Sequence, residues 1–174
     1  MNYFFTADEH YGHTNIIKYC DRPFATVEEM DEEMIKRHNE VVKEGDIVIH
    51  VGDFTLRSAR EAENIIRRLN GTNHFLRGSH DRCIKETDAP FADIWETNIE
   101  GQHVVACHYA MRVWGESHYN SWMLYGHSHG KLEGVGKSMD VGVDTHNFYP
   151  YSFEEIKKIM STKEDNFNLI KKND

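Results

Sequence analysis

The sequence is short of cysteine and proline, with three of each in 174 residues. The cysteines, Cys20, Cys83 and Cys107, are scattered along the chain and odd in number. They therefore predict neither a disulfide framework nor a zinc ribbon. Unpaired thiols of this kind are typical of a reducing compartment, so we expect a cytoplasmic protein.

Long apolar runs are also missing from the sequence. A helix that crosses a bilayer needs about 20 consecutive apolar residues, and no segment of this chain approaches that length. The first residues, Met1 to Thr6, lack the charged start and the long apolar stretch of a secretion signal. We expect neither export nor a membrane partner.

Positive charge is scarce relative to negative charge. The chain has 20 Lys and Arg against 29 Asp and Glu, which gives a formal net charge of -9. Proteins that bind nucleic acid in general usually carry a basic face, so no stable nucleic-acid partner is expected. Nucleotide substrates stay open, because bound cations would change the sign of the local field.

Apolar periodicity and capping residues outline the fold. They predict strands at 2–7, 47–51, 74–76, 93–99, 102–107, 122–125 and 138–143, and helices at 26–42, 58–69 and 152–160. Parallel pairing in the first half needs helical crossovers, whereas the strands of the second half can pair through turns. The predicted fold class is α/β, a four-layer sandwich of two facing mixed β-sheets flanked by helices. Residues 1–174 are expected to form one domain, with 161–174 as a polar, loosely attached tail.

Histidine is the residue in excess, with 12 in the chain. Five segments place His, Asp or both just after a predicted strand. They are Asp8-Glu9-His10, Gly52-Asp53, Gly78-Ser79-His80-Asp81, Cys107-His108-Tyr109 and Gly126-His127-Ser128-His129. The loops after the carboxyl ends of strands in α/β folds converge on one rim, so we expect these segments to meet in one cleft.

This mixture of imidazole and carboxylate indicates a transition-metal site. It suits Mn²⁺, Fe, Zn²⁺ or Ni²⁺ rather than Ca²⁺. Asp8 and His10 are two residues apart, as are His127 and His129, so in extended chain each pair would point the same way and reach one cluster. Two cations about 3.5–4 Å apart can clamp both the attacking and the leaving oxygen of an in-line displacement.

In order, the segments read D-x-H, G-D, G-S-H-D, H and G-H-x-H, over most of the chain from Asp8 to His129. This set resembles the calcineurin-like metallophosphoesterase superfamily, and its flanks resemble the small single-domain bacterial and phage members. The resemblance implies a hydrolase with two divalent metal ions, Mn²⁺ first, with Fe, Ni²⁺ or Zn²⁺ as alternatives. It implies attack of a metal-bridging water on a small phosphoester, a diester in preference to a monoester, with nucleotides among the candidates.

The resemblance also implies roles by position. The implied metal ligands are Asp8, His10, Asp53, Ser79, His108, His127 and His129, with Asp53 as the bridge. His80 would be the catalytic histidine beside the leaving group, and Asp81 would hold its ring. Ser79 departs from the family pattern, which has Asn there, and offers a shorter and weaker ligand.

Substrate contacts rest on weaker signals. Arg22 and Arg112 flank the motifs and could bind phosphate oxygens, although each is as readily a surface arginine. His13 and His118 are further candidates in the same segments. Two other functions stay open: a catalytically weak scaffold that acts in protein interaction, and a metal-dependent nuclease. The sequence leaves the native substrate and the oligomeric state open.

Overall fold

Two β-sheets form the centre of the computed structural model, which describes residues 1–170. In chain order the strands of these residues are β1 (Tyr3–Thr6), β2 (Ile47–His50), β3 (Thr72–Leu76), β4 (Phe91–Ala92), β5 (Trp95–Ile99), β6 (Gln102–Ala106), β7 (Trp122–Tyr125), β8 (Ser138–Asp140) and β9 (Tyr151–Ser152). The α-helices are α1 (Ile16–Tyr19), α2 (Val27–Val41), α3 (Ala59–Ile66) and α4 (Phe153–Thr162). Short 3-10 helices occupy Asp81–Glu86, Ser117–Tyr119 and Val143–Thr145.

Both sheets are mixed, as the sequence predicts. The first has the order β4-β3-β2-β1-β9, in which only β9 runs antiparallel to its neighbour. The second has the order β5-β6-β7-β8, with β5 and β6 antiparallel and the remaining pairs parallel. The run of strands after β4 therefore builds a sheet of its own, whereas the first sheet recruits β9 from the end of the chain.

The main core lies between the two sheets. Phe5, Ile49 and Leu76 of the first sheet belong to one buried cluster with Val104 and Leu124 of the second. A second cluster lies on the other face of the first sheet. Its members include Phe75 of β3, residues of α2 (Met30, Met34) and residues of α3 (Ala62, Ile65).

The loop between β6 and β7 packs on the outer face of the second sheet. Trp114 of this loop packs with Val105, Met123 and Tyr125. The predicted fold class, two mixed sheets flanked by helices, is confirmed. None of the described helices combines the length and the apolar character needed to span a membrane.

Local capping chemistry sets where the helices begin. The side chain of Thr26 accepts a hydrogen bond from the Glu29 N–H at the start of α2. Ser58 and Ser152 begin α3 and α4 in reciprocal capping boxes with the Glu three residues on. The prediction extends α3 too far, since the helix ends at Ile66. Beyond it, the Leu69 N–H donates to Ile66 O, three residues back instead of the four of an α-helix.

The segment after α4 contacts the loop between β6 and β7. Asn166 is buried, and its amide Nδ2 donates to Ser117 O over 3.0 Å and to Ser121 O over 2.9 Å. The predicted tail, residues 161–174, thus includes one residue with buried hydrogen bonds. Residues 171–174 of that prediction lie outside the described residues.

Candidate metal centre

The strand ends converge on one rim and bring six of the predicted ligands into two neighbouring groups. Within each group, one nitrogen or carboxylate oxygen per residue lies within 4.8 Å of the others. The first group is Asp8, His10 and His129, and the second is Asp53, His108 and His127. Each group holds one carboxylate and two imidazoles, which is a donor set for a transition metal.

Asp53 joins the two groups. Its Oδ2 lies 3.7 Å from His10 Nε2, in the first group, and 3.4 Å from His108 Nε2, in its own. A third set of close donor atoms, from His10, Asp53 and His80, overlaps the other two. The carboxylate that the resemblance implies as the bridge thus faces imidazole nitrogens of both groups.

Several ring nitrogens at this rim are buried without a hydrogen-bond partner in the described part of the chain. They are both nitrogens of His10, Nδ1 of His13 and Nε2 of His108. Buried polar side-chain atoms normally have a partner, so orphaned nitrogens beside carboxylates indicate that a ligand belongs between them. A divalent cation fits this requirement, because it binds the lone pairs of neutral imidazole and carboxylate alike.

The protonation states suit such a ligand. Burial lowers the pKa of His10 to about 3, so its ring is neutral at pH 7. Burial raises the pKa of Asp53, but the neighbouring rings of His108 and His10 and the backbone N–H of His80 together outweigh burial and lower it to about 2. Burial raises the pKa of Asp8 to about 7, since the carboxylate loses its hydration there. A cation at this rim would stabilise the ionised form of the Asp8 carboxylate, which burial disfavours.

The backbone is strained where it presents these side chains. Asp8, His10, Asp53, His127 and His129 all adopt left-handed φ values, of 59°, 54°, 57°, 68° and 49°. Such values are uncommon for residues other than Gly and concentrate at functional sites. The prediction from extended-chain alternation is therefore wrong in its geometry. Asp8 and His10 do share a group, but His127 and His129 turn apart into different groups.

Two glycines let the loops approach this closely. A Cβ at Gly78 would collide with the backbone nitrogen and carboxylate of Asp53. A Cβ at Gly126 would lie 2.7 Å from Ala7 Cβ and 2.9 Å from Asp8 Oδ2. The Gly-Ser-His-Asp and Gly-His motifs thus need their glycines for close packing of one loop on another.

Asp144, which the sequence analysis missed, fixes the orientation of His129. Its Oδ2 lies 2.7 Å from His129 Nδ1, which leaves Nε2 of that ring for a metal. Arg22 holds the same carboxylate with two hydrogen bonds of 2.8 Å each. Cys20, His129 and Asp144 also form a close donor set, but both oxygens of Asp144 already serve Arg22 and His129.

Arg22 differs from its predicted role as a substrate contact. Its side chain is fully buried beside Asp144. Besides that carboxylate, the guanidinium donates to the backbone oxygens of Asp8, over 2.7 Å, and of Glu9, over 2.9 Å. A phosphate cannot reach donors that are already used and buried. Arg22 instead clamps the Asp8–Glu9 backbone to Asp144.

Asp81 also differs from its predicted role of holding the His80 ring. Its carboxylate is buried and accepts the backbone N–H groups of Asp53, Phe54 and Gly78 over 2.6, 2.8 and 2.8 Å. These bonds shape the two loops that carry Asp53 and His80. The His80 ring is exposed, 5.6 Å from the His10 ring between centroids, and the backbone N–H of His80 donates to Asp53 Oδ1.

Ser79 lies at the exposed edge of the second group. Its hydroxyl is 2.9 Å from the hydroxyl of Tyr109, and the Tyr109 ring lies 5.0 Å from the ring of His127. The serine is therefore next to the donor set, with its oxygen already hydrogen-bonded.

The remaining predicted substrate residues divide into two kinds. His13 lies beside the centre, with its ring 5.5 Å from that of His10 and 6.3 Å from that of His80. The Arg112 guanidinium instead lies 5.8 Å from the ring of Phe167, and the backbone oxygen of His118 accepts from Ile170. Arg112 and the backbone of His118 thus contact the segment after α4, and the His118 ring lies 4.1 Å from the ring of Tyr119.

Glu9 is a second residue that the prediction left without a role. Its Oε1 lies 2.6 Å from Nδ1 of His50, and Nε2 of the same ring lies 2.9 Å from Asn73 Oδ1. All three side chains are buried beneath the loop that carries Asp8 and His10. They tie that loop to β2 and β3.

Comparison with known proteins places the chain in a family. No protein-family model matches it. The uncharacterized protein MJ1445 of Methanocaldococcus jannaschii is 32% identical over 169 residues, which cover 88% of this chain and 88% of that protein. The protein of unknown function AQ665 from Aquifex aeolicus has the same fold, with a TM-score of 0.73 and 21% identity over 91% of this chain and 98% of that chain. YfcE, a phosphoesterase from E. coli, aligns less well, with a TM-score of 0.45 and 17% identity over 82% of this chain and 78% of that chain. By its identity and coverage, the chain belongs to the family of the Methanocaldococcus jannaschii protein MJ1445.

Proposed function

We propose that this protein is a metal-dependent phosphoric ester hydrolase that holds two divalent ions at the rim of its sheets. The observation that carries the proposal is the position of Asp53 Oδ2, 3.7 Å from His10 Nε2 and 3.4 Å from His108 Nε2. One carboxylate oxygen between two donor sets suits a pair of metal ions that share a ligand.

The proposed ligands are Asp8, His10 and His129 for one ion and His108 and His127 for the other, with Asp53 shared. The nitrogen and oxygen donors suit Mn²⁺, Fe, Ni²⁺ and Zn²⁺, and the resemblance to metallophosphoesterases puts Mn²⁺ first among them. When bound, such a pair supplies Lewis-acid stabilisation to an in-line displacement at phosphorus. Asp144 and Arg22 support this function by orienting the His129 ring and the Asp8 loop.

His80 is the proposed proton donor to the leaving oxygen. Its ring is exposed, so a substrate can reach it, yet one of its nitrogens belongs to the close set with His10 and Asp53. His13 lies on the same side and could contact the ester from there. A general acid at this position stabilises the alkoxide that departs when the ester bond breaks.

We propose a diester in preference to a monoester as the substrate class. Ser79, His80 and His127 are exposed at the rim, and an open rim leaves room for both substituents of a diester.

The cysteines are free in the described residues, which supports the cytoplasm as the proposed location.

The test is hydrolysis of bis(p-nitrophenyl) phosphate and p-nitrophenyl phosphate by protein stripped of metal and reloaded with Mn²⁺, Ni²⁺, Zn²⁺ or Mg²⁺. We expect activity only after reloading, highest with a transition metal, and a larger kcat/KM for the diester. Protein that binds metal but cleaves neither ester would instead support the scaffold hypothesis. A larger kcat/KM for the monoester would be consistent with the proposed hydrolase but would contradict the proposed preference for a diester.

A further inference from the structure

A cavity of about 320 Å³ lies beside the candidate metal centre, and its lining is basic. Arg77, Arg82 and Lys85 line it together with Ser79 and Phe91. Three cations around one cavity are notable in a chain whose formal net charge is -9. The cavity has no part in the function proposed so far.

The cavity and the metal centre share one loop. Gly78, which lines the cavity, packs directly on the backbone and carboxylate of Asp53. Ser79 lines it too, and its hydroxyl is hydrogen-bonded to Tyr109 beside His127. The same loop thus borders both the metal centre and the cavity.

Local structure brings two of the cations to the same side. Arg82 and Lys85 are three residues apart in the 3-10 helix Asp81–Glu86, and side chains at this spacing eclipse one another in such a helix. Both side chains are exposed, and within residues 1–170 neither has an acidic partner at ion-pair distance.

Two acidic groups at the cavity, Asp81 and Asp93, already have partners. Asp93 pairs with Arg77 over 2.9 Å, and the Arg77 guanidinium lies over the ring of Phe91. Asp81 lines the cavity, but its carboxylate accepts three backbone N–H groups. The positive charge of Arg82 and Lys85 is therefore available to an anion.

We propose that Arg82 and Lys85 bind a second phosphate group of the substrate while its ester phosphate lies at the metal centre. This inference rests on the proposed function and names its substrate class, a phosphodiester that carries a further phosphate. Arginine matches the fork of two phosphate oxygens, and lysine adds a point charge. A small bisphosphorylated molecule and the end of an oligonucleotide share this chemistry.

The test compares two chromogenic esters that differ by one phosphate. They are thymidine 5′-(p-nitrophenyl phosphate) and the same ester with a 3′-phosphate. The isomeric pair, with the ester at 3′ and the second phosphate at 5′, covers the opposite orientation. In at least one pair we expect kcat/KM to be about tenfold higher with the second phosphate, which is the size of one charge-assisted hydrogen bond.

The variant Arg82→Gln/Lys85→Gln should abolish most of this preference, chiefly through KM. The matched control Arg60→Gln/Lys158→Gln removes two exposed cations from α3 and α4 and should keep the preference. High salt should weaken the preference of the wild type, because screening reduces the attraction of exposed charges. A short 5′-phosphorylated oligothymidylate with the p-nitrophenyl ester at its 3′ end then distinguishes the two sources, since higher kcat/KM for it than for the bisphosphorylated nucleoside indicates a nucleic-acid end.

Two results would overturn the cavity proposal but not the proposed hydrolase function. One is hydrolysis of both members of each pair with equal kcat/KM, and the other is a preference that survives in the Arg82→Gln/Lys85→Gln variant. If the metal-loaded wild type cleaved none of these esters, the proposed hydrolase function would fail, and the cavity proposal with it.

Discussion

The ring of His129 is held by Asp144, whose Oδ2 lies 2.7 Å from its Nδ1. A carboxylate in this position fixes the ring and strengthens the other nitrogen as a metal ligand. Arg22 binds the same carboxylate and the backbone of Asp8, so a single guanidinium connects two proposed ligands of the first ion. The orientation of the first ligand group thus depends on Asp144 and Arg22, which are not themselves proposed metal ligands.

Replacing Asp144 with Asn should weaken the first metal site. The amide keeps the shape of the side chain but loses the charge, and we expect Mn²⁺ affinity to fall about 10- to 100-fold. Calorimetric titration of metal-free protein measures this. Asp88→Asn is the matched control, because that carboxylate is exposed. Unchanged affinity in a folded Asp144→Asn variant would remove the orienting role.

Stability should respond to the same substitution for a separate reason. Arg22 would remain buried with its main anionic partner neutralised, and breaking a buried ion pair costs about 3–5 kcal/mol. Urea unfolding of the metal-free variant measures this loss and shows how much of the altered titration is due to unfolded protein.

Replacing Ser79 with Asn should tighten the second metal site and raise turnover. The longer side chain offers a carbonyl oxygen where the serine hydroxyl contacts Tyr109. One added neutral ligand worth about 1 kcal/mol corresponds to roughly fivefold in affinity. Ser79→Ala, which removes the hydroxyl and adds no ligand, is the control. Identical titrations and rates for wild type and Ser79→Asn would show that this position is not a ligand.

Replacing His80 with Ala should separate chemistry from metal binding. A general acid contributes about 10²- to 10⁴-fold, and the loss should be largest for esters with poor leaving groups. Rates for alkyl and p-nitrophenyl esters, measured beside a metal titration, test this. An equal loss on both esters, or a loss of metal, would assign His80 another role. Since Asp81 binds backbone N–H groups, Asp81→Asn should act mainly on stability.

Acid should destabilise the metal-free fold through His38. Burial and the neighbouring His50 lower the pKa of His38 to about 4, so the folded protein keeps this ring neutral where the unfolded chain protonates it. The free energy of unfolding should therefore fall as the pH drops from 6.5 to 4, by up to about 1.4 kcal/mol per pH unit. Above pH 6.5 this contribution is constant.

His38→Gln isolates that contribution, because the Gln amide can still donate to Asn70 O, which lies 2.9 Å from His38 Nε2. Urea unfolding at pH 7 and pH 5, with chelator present, should show a smaller pH dependence for the variant. The same pH dependence in both proteins would mean that His38 is not the group responsible.

The parts of the fold that depend on local chemistry could be predicted from the sequence. Helices α2, α3 and α4 begin where the sequence predicts, at the caps Thr26, Ser58 and Ser152, because a cap is decided within four residues. The strand Trp122–Tyr125 is also as predicted. The two-residue strands β4 and β9 were missed, since strands so short exist only through their partners in the sheet.

The site was predictable where a motif spans a few residues, and not where the contacting residues are far apart in the sequence. Arg22 and Asp144 are 122 positions apart, and neither neighbourhood reveals the pair. Asp144 did carry one signal, since it directly follows the predicted strand 138–143, as the five metal-type segments follow theirs. The role of Asp81 was hidden because its partners are backbone N–H groups.

The most direct test of the account is the metal content of Asp53→Asn. The wild type is dialysed against Mn²⁺ and then against metal-free buffer, and its metal content is measured by inductively coupled plasma mass spectrometry. We expect it to retain two ions per chain. The variant should lose metal and diesterase activity together, because Asp53 Oδ2 faces imidazoles of both groups. A folded variant that keeps both ions and its activity would contradict the central claim.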